Sequence, residues 1–475
     1  MKILITGTTG YIGKRLIPFL LEAGHELMCS VRDLGRVPKK FKKIPQITFI
    51  EIDFLTYDAS VTLPPDIDVA YYLMHSMSTS ADFDKLELTC AENFKKYTAN
   101  TGLKQVIYLS GIVNEDELSK HLQSRKEVEE SLAGGNYALT TFRAGIIVGS
   151  GSASFEIIRD LVEKLPIMVT PRWLDTKTQP IAIRDVLLYL SRAAGDERLF
   201  NNNYDIFGPD VLTYKEMLLE FAKVRGLKRT IITLPVMTPK LSSYWLYFVT
   251  STTYKLAAAL VDSMKIEVIG RESNISQLLN VQPISYHEAM VKALSIIQQD
   301  STPSSWKDAM VGSRFKEKLS SYITIPEYGV LTDVKERKIT DEADVINRIW
   351  ALGGATGWYY GNFLWKARGF LDRIFGGTGL RRGRTSQADL QAGDALDFWR
   401  VLEADKDKKR LLLYAEMKLP GEAWLEFKIK KDVLYQNAVF RPKGLWGRMY
   451  WYAVLPFHYF IFNGLINNLV KGKEK

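Results

Sequence analysis

Cysteine is almost absent from this chain: Cys29 and Cys90 are the two it carries in 475 residues. They form no CxxC pair, and no Cys/His grouping has zinc spacing, which argues against a disulfide framework and against any metal site. The amino terminus lacks a basic leader and a small-residue cleavage site, since Met1 runs directly into an apolar strand pattern; the expected location is cytoplasmic. Low-complexity tracts and internal repeats are missing too. So is an uninterrupted apolar run of the roughly 20 residues that a bilayer span needs. The nearest approach, Met449 to Ile466, reads MYWYAVLPFHYFIFNGLI and is broken by Pro456, His458 and Asn463. It is expected to form a buried terminal helix able to touch a membrane surface, so that membrane contact would be peripheral.

Charge is present in both signs, with a formal surplus of +9. Such a surplus can favour phosphates, nucleic acid or anionic membranes. Here the basic residues are spread along the chain, and Lys39, Lys40, Lys42 and Lys43 form the first tight group, which reads as a solvated face. No recognised nucleic-acid motif accompanies them, so no nucleic-acid partner is expected. The composition, 46% hydrophobic and 25% charged, is that of a folded soluble protein. Its length suggests more than one core.

From Met1 to about Val148, short β-rich runs alternate with helical stretches, the pattern of a parallel α/β sheet. The candidate strands are Lys2 to Thr6, Glu26 to Val31, Ile47 to Ile52, Val69 to Met74, Gln105 to Ser110 and Ala138 to Arg143, six in all. Between the fourth and fifth, Phe83, Leu86, Cys90, Phe94 and Tyr97 recur at helical spacing. Residues from about 150 to 300 are less regular, with amphipathic helices at Thr213 to Val224 and Tyr286 to Ile297. They read as a substrate lobe built onto the sheet. The stretch Asp300 to Ser305 has linker composition, which sets the domains at 1–300 and 306–475. Beyond it, Leu396 to Glu403, Arg410 to Lys418, Glu422 to Lys430 and Val433 to Phe440 read as an antiparallel meander. In the third of these Ala423, Leu425, Phe427 and Ile429 share one side, and Glu426, Lys428 and Lys430 the other. An aromatic helix from about Arg448 to Val470 closes the chain.

The chemistry-bearing motif is at the start. KILITGTTGYIGKRL sets Gly7, Gly10 and Gly13 between a strand and a helix, with Thr8, Thr9, Tyr11 and Ile12 completing the turn. Glycine is needed there for a tight turn, for close approach of a pyrophosphate to the backbone, and for close packing of helix on strand. The phosphates would meet the amide hydrogens of the helix's first turn. At the end of the second strand Val31-Arg32-Asp33 stands where an NAD site shows an acid. Arg32, with Arg36, can fork onto a 2′-phosphate, which favours NADP, while Asp33 keeps NAD open.

This arrangement resembles the short-chain dehydrogenase/reductase superfamily, in particular its extended and atypical, NmrA-like members with TGxxGxxG spacing, over residues 1 to about 295. The resemblance implies that Asp53 and Phe54 lie where relatives touch adenine. It also implies that Met74-His75-Ser76 lines the cofactor cleft and that Ser110 is the active-site serine. Gln179-Pro180-Ile181 and Arg184-Asp185-Val186 would lie beside the substrate; Arg172-Trp173 could line the same side or be stacked surface packing. Relatives use a tyrosine proton donor and a lysine four residues later. In their places stand His121 and Arg125, one helical turn apart. In one reading Ser110 and His121 polarise a substrate carbonyl while Arg125 holds the cofactor's ribose or phosphate. In the other the machinery is lost and His121 and His75 are ordinary structural residues.

The carboxy-terminal meander and closing helix resemble the START-like, helix-grip fold, and an uncharacterised domain appended to such reductases. Trp399, Trp424, Tyr435, Trp451, Tyr452 and His458 are candidate pocket-wall residues or, alternatively, core aromatics. Gly376 to Arg384, with Arg381, Arg382 and Arg384, could hold an anionic group or form a solvated loop. The expected fold class is thus a Rossmann-type parallel α/β sheet with a substrate lobe, then a START-like α+β domain. The function it implies is an NAD(P)H-dependent oxidoreductase for a small apolar carbonyl or quinone-like substrate. A non-catalytic NADP(H) sensor or assembly factor is the alternative, and a sugar-nucleotide epimerase fits less well. The sequence carries no signal for an oligomeric state.

Overall fold

Seven parallel strands organise the first half of the chain: β1 (Lys2–Ile5), β2 (Glu26–Val31), β3 (Ile47–Glu51), β4 (Val69–Tyr72), β5 (Gln105–Gly111), β6 (Ala138–Ala144) and β7 (Asn202–Ile206). The computed structural model describes residues 1–32, 34, 37, 41, 44–74, 83–113, 120–234, 261, 263–298, 330–354, 356–374, 390–442 and 444–472. The chain divides into two units, Met1–Ser313 and Arg314–Lys475. The linker residues 300–305 and the lysines at 39, 40, 42 and 43 lie outside the described residues, as does the 376–384 stretch.

The sheet order is β7-β6-β5-β4-β1-β2-β3, so the winding reverses between β1 and β4. Helix α1 (Tyr11–Glu22) follows β1; α2 (Phe83–Thr98) and α3 (Lys120–Ala133) flank β5. Because successive strand residues point to opposite faces, Ile3 and Ile5 join a core with Leu16, Leu20 and Phe142, while Leu4 joins the other with Tyr72, Phe94 and Tyr108. Both faces are thereby covered, as a parallel sheet requires.

Six of these strands agree with the sequence reading to within two residues at each end; β7 corrects the expected count. Its Asn202, Asn203 and Asp205 give no apolar alternation, yet the backbone pairs with β6 from Asn202–Thr140 to Ile206–Ala144. Asp205 is buried and its carboxylate accepts from Arg271 Nε at 3.0 Å and Nη2 at 2.9 Å, so a polar edge strand is closed by an ion pair.

The lobe adds α4 (Ala153–Lys164), α5 (Ile183–Arg192), α6 (Tyr214–Val224) and α7 (Tyr286–Gln298), with short two-stranded pairings between them. Thr213 and Glu216 form a full capping box at the start of α6. Phe155, Val162, Met217, Phe221 and Met290 make the lobe's own core.

The second unit is a six-stranded antiparallel sheet with three helices among the described residues. The strands are β8 (Leu331–Lys338), β9 (Ala395–Leu396), β10 (Trp399–Asp405), β11 (Arg410–Ala415), β12 (Gly421–Lys430) and β13 (Val433–Pro442), in the order β8-β13-β12-β11-β10-β9. The helices are α8 (Glu342–Trp350), α9 (Asn362–Ile374) and α10 (Gly444–Lys471). Leu425, Phe427 and Ile429 are buried on the expected face of β12, and the end of α10 packs on β13 and β8 through Leu465, Ile466 and Leu469. Much of the first part of α10 is exposed. Trp399, Trp424 and Trp451 are core residues, whereas Tyr452 is exposed, which corrects its expected place in a pocket wall: its position on the helix points away from the sheet.

Candidate functional site

The chain leaves β1 through Thr6, whose Oγ1 donates to Tyr71 O at 3.0 Å and accepts from Leu73 N at 3.2 Å, locking the ends of β1 and β4 together. Gly7 then takes φ +66°, the left-handed region that favours glycine. A Cβ there would stand 2.5 Å from Leu73 O. Thr8 turns inward and donates to Ile5 O at 2.9 Å, and Gly10 N donates to Gly7 O at 2.9 Å. Gly10 is the N-cap of α1 with no side-chain cap. The amides of Tyr11, Ile12 and Gly13 therefore have no acceptor within the helix and stand at its positive end. A Cβ on Gly13 would meet Gly7 O at 2.5 Å, so the third glycine holds the helix against the turn. The cradle opens at the carboxyl ends of β1 and β4, the point where the winding reverses and where open α/β sheets bind ligands.

Tyr11 and Arg15 connect α1 to the lobe. The Arg15 guanidinium lies 4.5 Å from the Tyr11 ring centroid and its Nη2 donates to Ser150 O at 2.6 Å. The Tyr11 hydroxyl is buried beside Gly149, and burial pushes its pKa up to about 12 against the pull of Arg15.

On the rim, Arg32 is exposed at the end of β2. Asp53 is also exposed, and its Oδ1 accepts from Leu55 N at 3.1 Å. The Phe54 ring is buried against Phe94 and Tyr97, at centroid distances of 6.1 and 5.6 Å, because the apolar side chain gains more from the core than from the rim. Asn93 Nδ2 donates to Phe54 O at 2.9 Å and fixes this loop. Asp33, Arg36 and His75 lie outside the described residues.

Ser110 is buried at the end of β5, and its Oγ has no partner of full hydrogen-bond geometry among the described residues. Nearby, Arg125 Nη1 donates to the Tyr108 hydroxyl and to Leu109 O, each at 3.3 Å. His121 lies on α3 four residues before Arg125; its side chain is outside the described residues. A buried pair that the sequence reading missed lies under this helix: Ser124 Oγ donates to Glu87 Oε2 at 2.8 Å. Glu87 falls among the buried positions of α2, at the spacing of Ala91 and Phe94, and an acid on an apolar stripe was the available signal.

The segment expected beside the substrate braces the lobe. Gln179 Nε2 donates to Gly208 O at 3.0 Å while its Oε1 accepts from Gly270 N at 3.2 Å. Asp185 is buried, accepts from Ile284 N at 2.9 Å, and has its pKa raised by burial. Trp173 is in the lobe's core and Arg172 is exposed. An apolar cavity of about 40 Å³ lies among Ile157, Leu161, Trp173, Met217 and Met264. A second, more polar one of about 180 Å³ lies by Tyr189, Asp205, Glu272 and Ser276. Neither shares a lining residue with the glycine turn. Among the described residues no group of acidic, histidine or cysteine side chains could hold a metal ion.

Residues 3–119 match the NAD dependent epimerase/dehydratase family, and residues 327–465 match a family described as protein of unknown function (DUF2867). The first match runs over β1 to β5 of the parallel sheet, and the second over most of the antiparallel unit. The chain is similar to the auxiliary protein GraX of Staphylococcus aureus (strain NCTC 8325 / PS 47), 30% identical over 128 residues, or 26% of this chain and 40% of that protein. It is also similar to protein Rcp of Vibrio cholerae serotype O1, 38% identical over 73 residues, or 14% and 35%. The matched segments span less than half of either relative. Among solved structures, a nucleoside-diphosphate-sugar epimerase from Staphylococcus aureus superposes with a TM-score of 0.50 at 15% identity, covering 61% of this chain and all of that one, a likeness of fold. A UDP-glucuronic acid 4-epimerase from Bacillus cereus in complex with NAD gives 0.47 at 18% identity, covering 63% and 97%.

Proposed function

We propose that the crevice over Gly7, Gly10 and Gly13 binds a nicotinamide dinucleotide and that the chain is an NAD(P)H-dependent oxidoreductase for an apolar carbonyl or quinone-like molecule. The observation that carries this reading is the cradle itself: a positive-φ glycine, an N-cap without a side chain, and a third glycine with no room for a Cβ, all at the β1/β4 reversal. The residues present fit a diphosphate, and the family matched by residues 3–119 is described as NAD dependent. When bound, the cofactor supplies or accepts hydride.

The amides of Tyr11, Ile12 and Gly13 hold the diphosphate, and Arg32 meets a 2′-phosphate where NADP is the form bound. Asp53 stands on the adenosine side of the rim. Ser110, with a hydroxyl buried at the end of β5, orients the substrate oxygen, and His121 gives it a proton. Arg125 positions this end of the crevice through Tyr108 and Leu109. The apolar substrate class rests on the apolar interior of the lobe that Arg15 ties to α1, around Ile157, Leu161, Trp173 and Met217, and not on the small cavity there, which is separate from the glycine turn.

A second reading, nucleotide sensing without turnover, is favoured by one feature: the Arg125 guanidinium is engaged by β5 rather than directed solely at the crevice. Calorimetry with NADPH and NADH, followed by turnover assays on quinones, enones and a UDP-sugar, separates the readings. Binding that weakens at least about 100-fold in Gly13→Ala, with NADPH oxidation abolished in His121→Ala, is the expected result. Binding without any turnover would leave the sensor; sugar epimerisation with tightly held NAD would replace the reductase by an epimerase. No heat with any of the nucleotides would overturn all three.

A further inference from the structure

Two helices of the second unit carry their apolar residues outward. On α9, Phe363, Ala367, Phe370, Leu371 and Ile374 recur at helical spacing and all are exposed, Phe363 by 72%; the inward side holds Trp365 and Asp372. On α10, Trp446 (76% exposed), Met449, Tyr452, Phe457, Tyr459 and Phe460 (63%) are exposed within its first 17 residues. The segment Trp446–Lys471 is long enough to cross a membrane and holds an 18-residue window of mean hydropathy 1.2, yet only 22% of that window is buried. A core helix of a soluble domain would be mostly buried.

The two helices meet on their inward sides. Trp365 of α9 lies 6.4 Å, centroid to centroid, from Phe462 of α10. At the other end of α9, Arg368 Nη2 donates to Lys418 O at 3.3 Å and Asp372 Oδ1 accepts from Lys418 N at 2.7 Å. Gly447, near the start of α10, packs on Pro420, whose carbonyl oxygen would be 2.4 Å from a Cβ there. The helices therefore run in opposite directions between the same two landmarks.

Their charge is one-sided. Along α9 and α10 the sole acid is Asp372, which is buried, while Lys366 and Arg448 are exposed and no charged residue occurs from Met449 to Val470. Exposed Lys418 lies at the landmark between them, and Arg441 stands 3.7 Å from Glu422 on the adjoining strands. An apolar, aromatic-rich surface edged by cations complements an anionic bilayer interface, where rings enter the headgroup boundary and basic residues meet phosphate.

We propose that α9 and α10 seat this protein on the surface of an anionic phospholipid membrane. The seat is interfacial. The last third of α10 is core: Phe462, Leu465, Ile466 and Leu469 are buried, Arg337 donates to Asn463 and Asn467, and Arg348 Nη1 donates to Leu469 O and Val470 O at 2.7 and 2.9 Å. A span would pull these residues out of the sheet. The seat brings the second unit to the source of apolar molecules, whichever chemistry the first unit performs.

The test is sedimentation of the full chain with vesicles of phosphatidylglycerol and phosphatidylcholine, and with phosphatidylcholine alone. Binding to the anionic vesicles, at least about tenfold weaker on the neutral ones or in high salt, is expected. The double variant Phe363→Ser/Phe370→Ser and the charge reversal Arg448→Glu should each weaken it about tenfold or more with an unchanged circular dichroism spectrum, since all three side chains are exposed. Brominated lipid should quench tryptophan fluorescence in the parent, and Trp446→Phe should bind but lose the quenched component. Absence of binding at low salt would overturn the proposal, as would variants that bind like the parent. A dimer dissolved by Phe363→Ser/Phe370→Ser without vesicle binding would assign the face to a second copy instead, and resistance to alkaline carbonate extraction would assign it to a span.

Discussion

Arg125 donates to the hydroxyl of Tyr108 at 3.3 Å, and Tyr108 in turn donates to the carbonyl oxygen of Arg125 at 3.4 Å, so helix and strand hold each other at the mouth of the crevice. The Tyr108 ring is buried in the core that faces α2 and α3. Arg125→Ala removes two hydrogen bonds made by a charged group, while the Tyr108 hydroxyl keeps the backbone oxygen of residue 125 as its acceptor. It should lower urea-denaturation stability by about 1–3 kcal/mol without any nucleotide present. Tyr108→Phe should cost less, and the double variant should cost less than the sum. Strict additivity of the two changes would show that the pair does not act as a unit.

Arg32 tests the cofactor form. It is exposed at the carboxyl end of β2, where the ribose of a dinucleotide bound at the glycine turn would lie, and Asp53 stands on the neighbouring rim. A guanidinium there recognises a 2′-phosphate but contributes little to a free hydroxyl. Arg32→Ala should weaken NADPH binding about 10- to 100-fold in calorimetry and leave NADH within about threefold. Equal losses for both forms would remove the NADP preference.

How far the sequence could be read depended on whether a segment's burial followed its side-chain polarity. The central strands were legible because Ile3, Leu4, Ile5 and their neighbours are apolar on both faces, and the glycine turn because positive φ and close approach leave few other residues. Strand β8 was not. In LTDVKERK the partly buried positions include Asp333, Lys335 and Arg337, while Val334 is exposed, an inversion of the usual pattern. It is stable because Asp333 and Lys335 pair at 2.5 Å and Arg337 is met by asparagines of α10, partners more than 100 residues away in the chain. Arg125 was placed on the right helix, but its commitment to Tyr108 depends on a tertiary contact that local pattern does not encode.

His458 makes the second unit sensitive to acid. Its ring lies edge-on to Trp451 at 5.1 Å and beside Phe462 at 4.9 Å, and its Nδ1 is buried without a partner among the described residues. Burial lowers its pKa to about 4; facing it from β8, the Asp333 carboxylate opposes the shift and the Lys335 ammonium adds to it. Above the unfolded value of 6.5 the ring is neutral in both states and contributes no pH dependence. As pH falls from about 6.5 towards 4, the unfolded chain binds a proton that the folded chain refuses, so stability is lost over that window, by up to about 3 kcal/mol. Other carboxylates titrate in the same range, so the informative quantity is the difference between the parent and His458→Gln in urea midpoint at pH 7.5, 6 and 5. The parent should lose more than the variant between the first and last of these, and parallel profiles would show that His458 is not the group responsible.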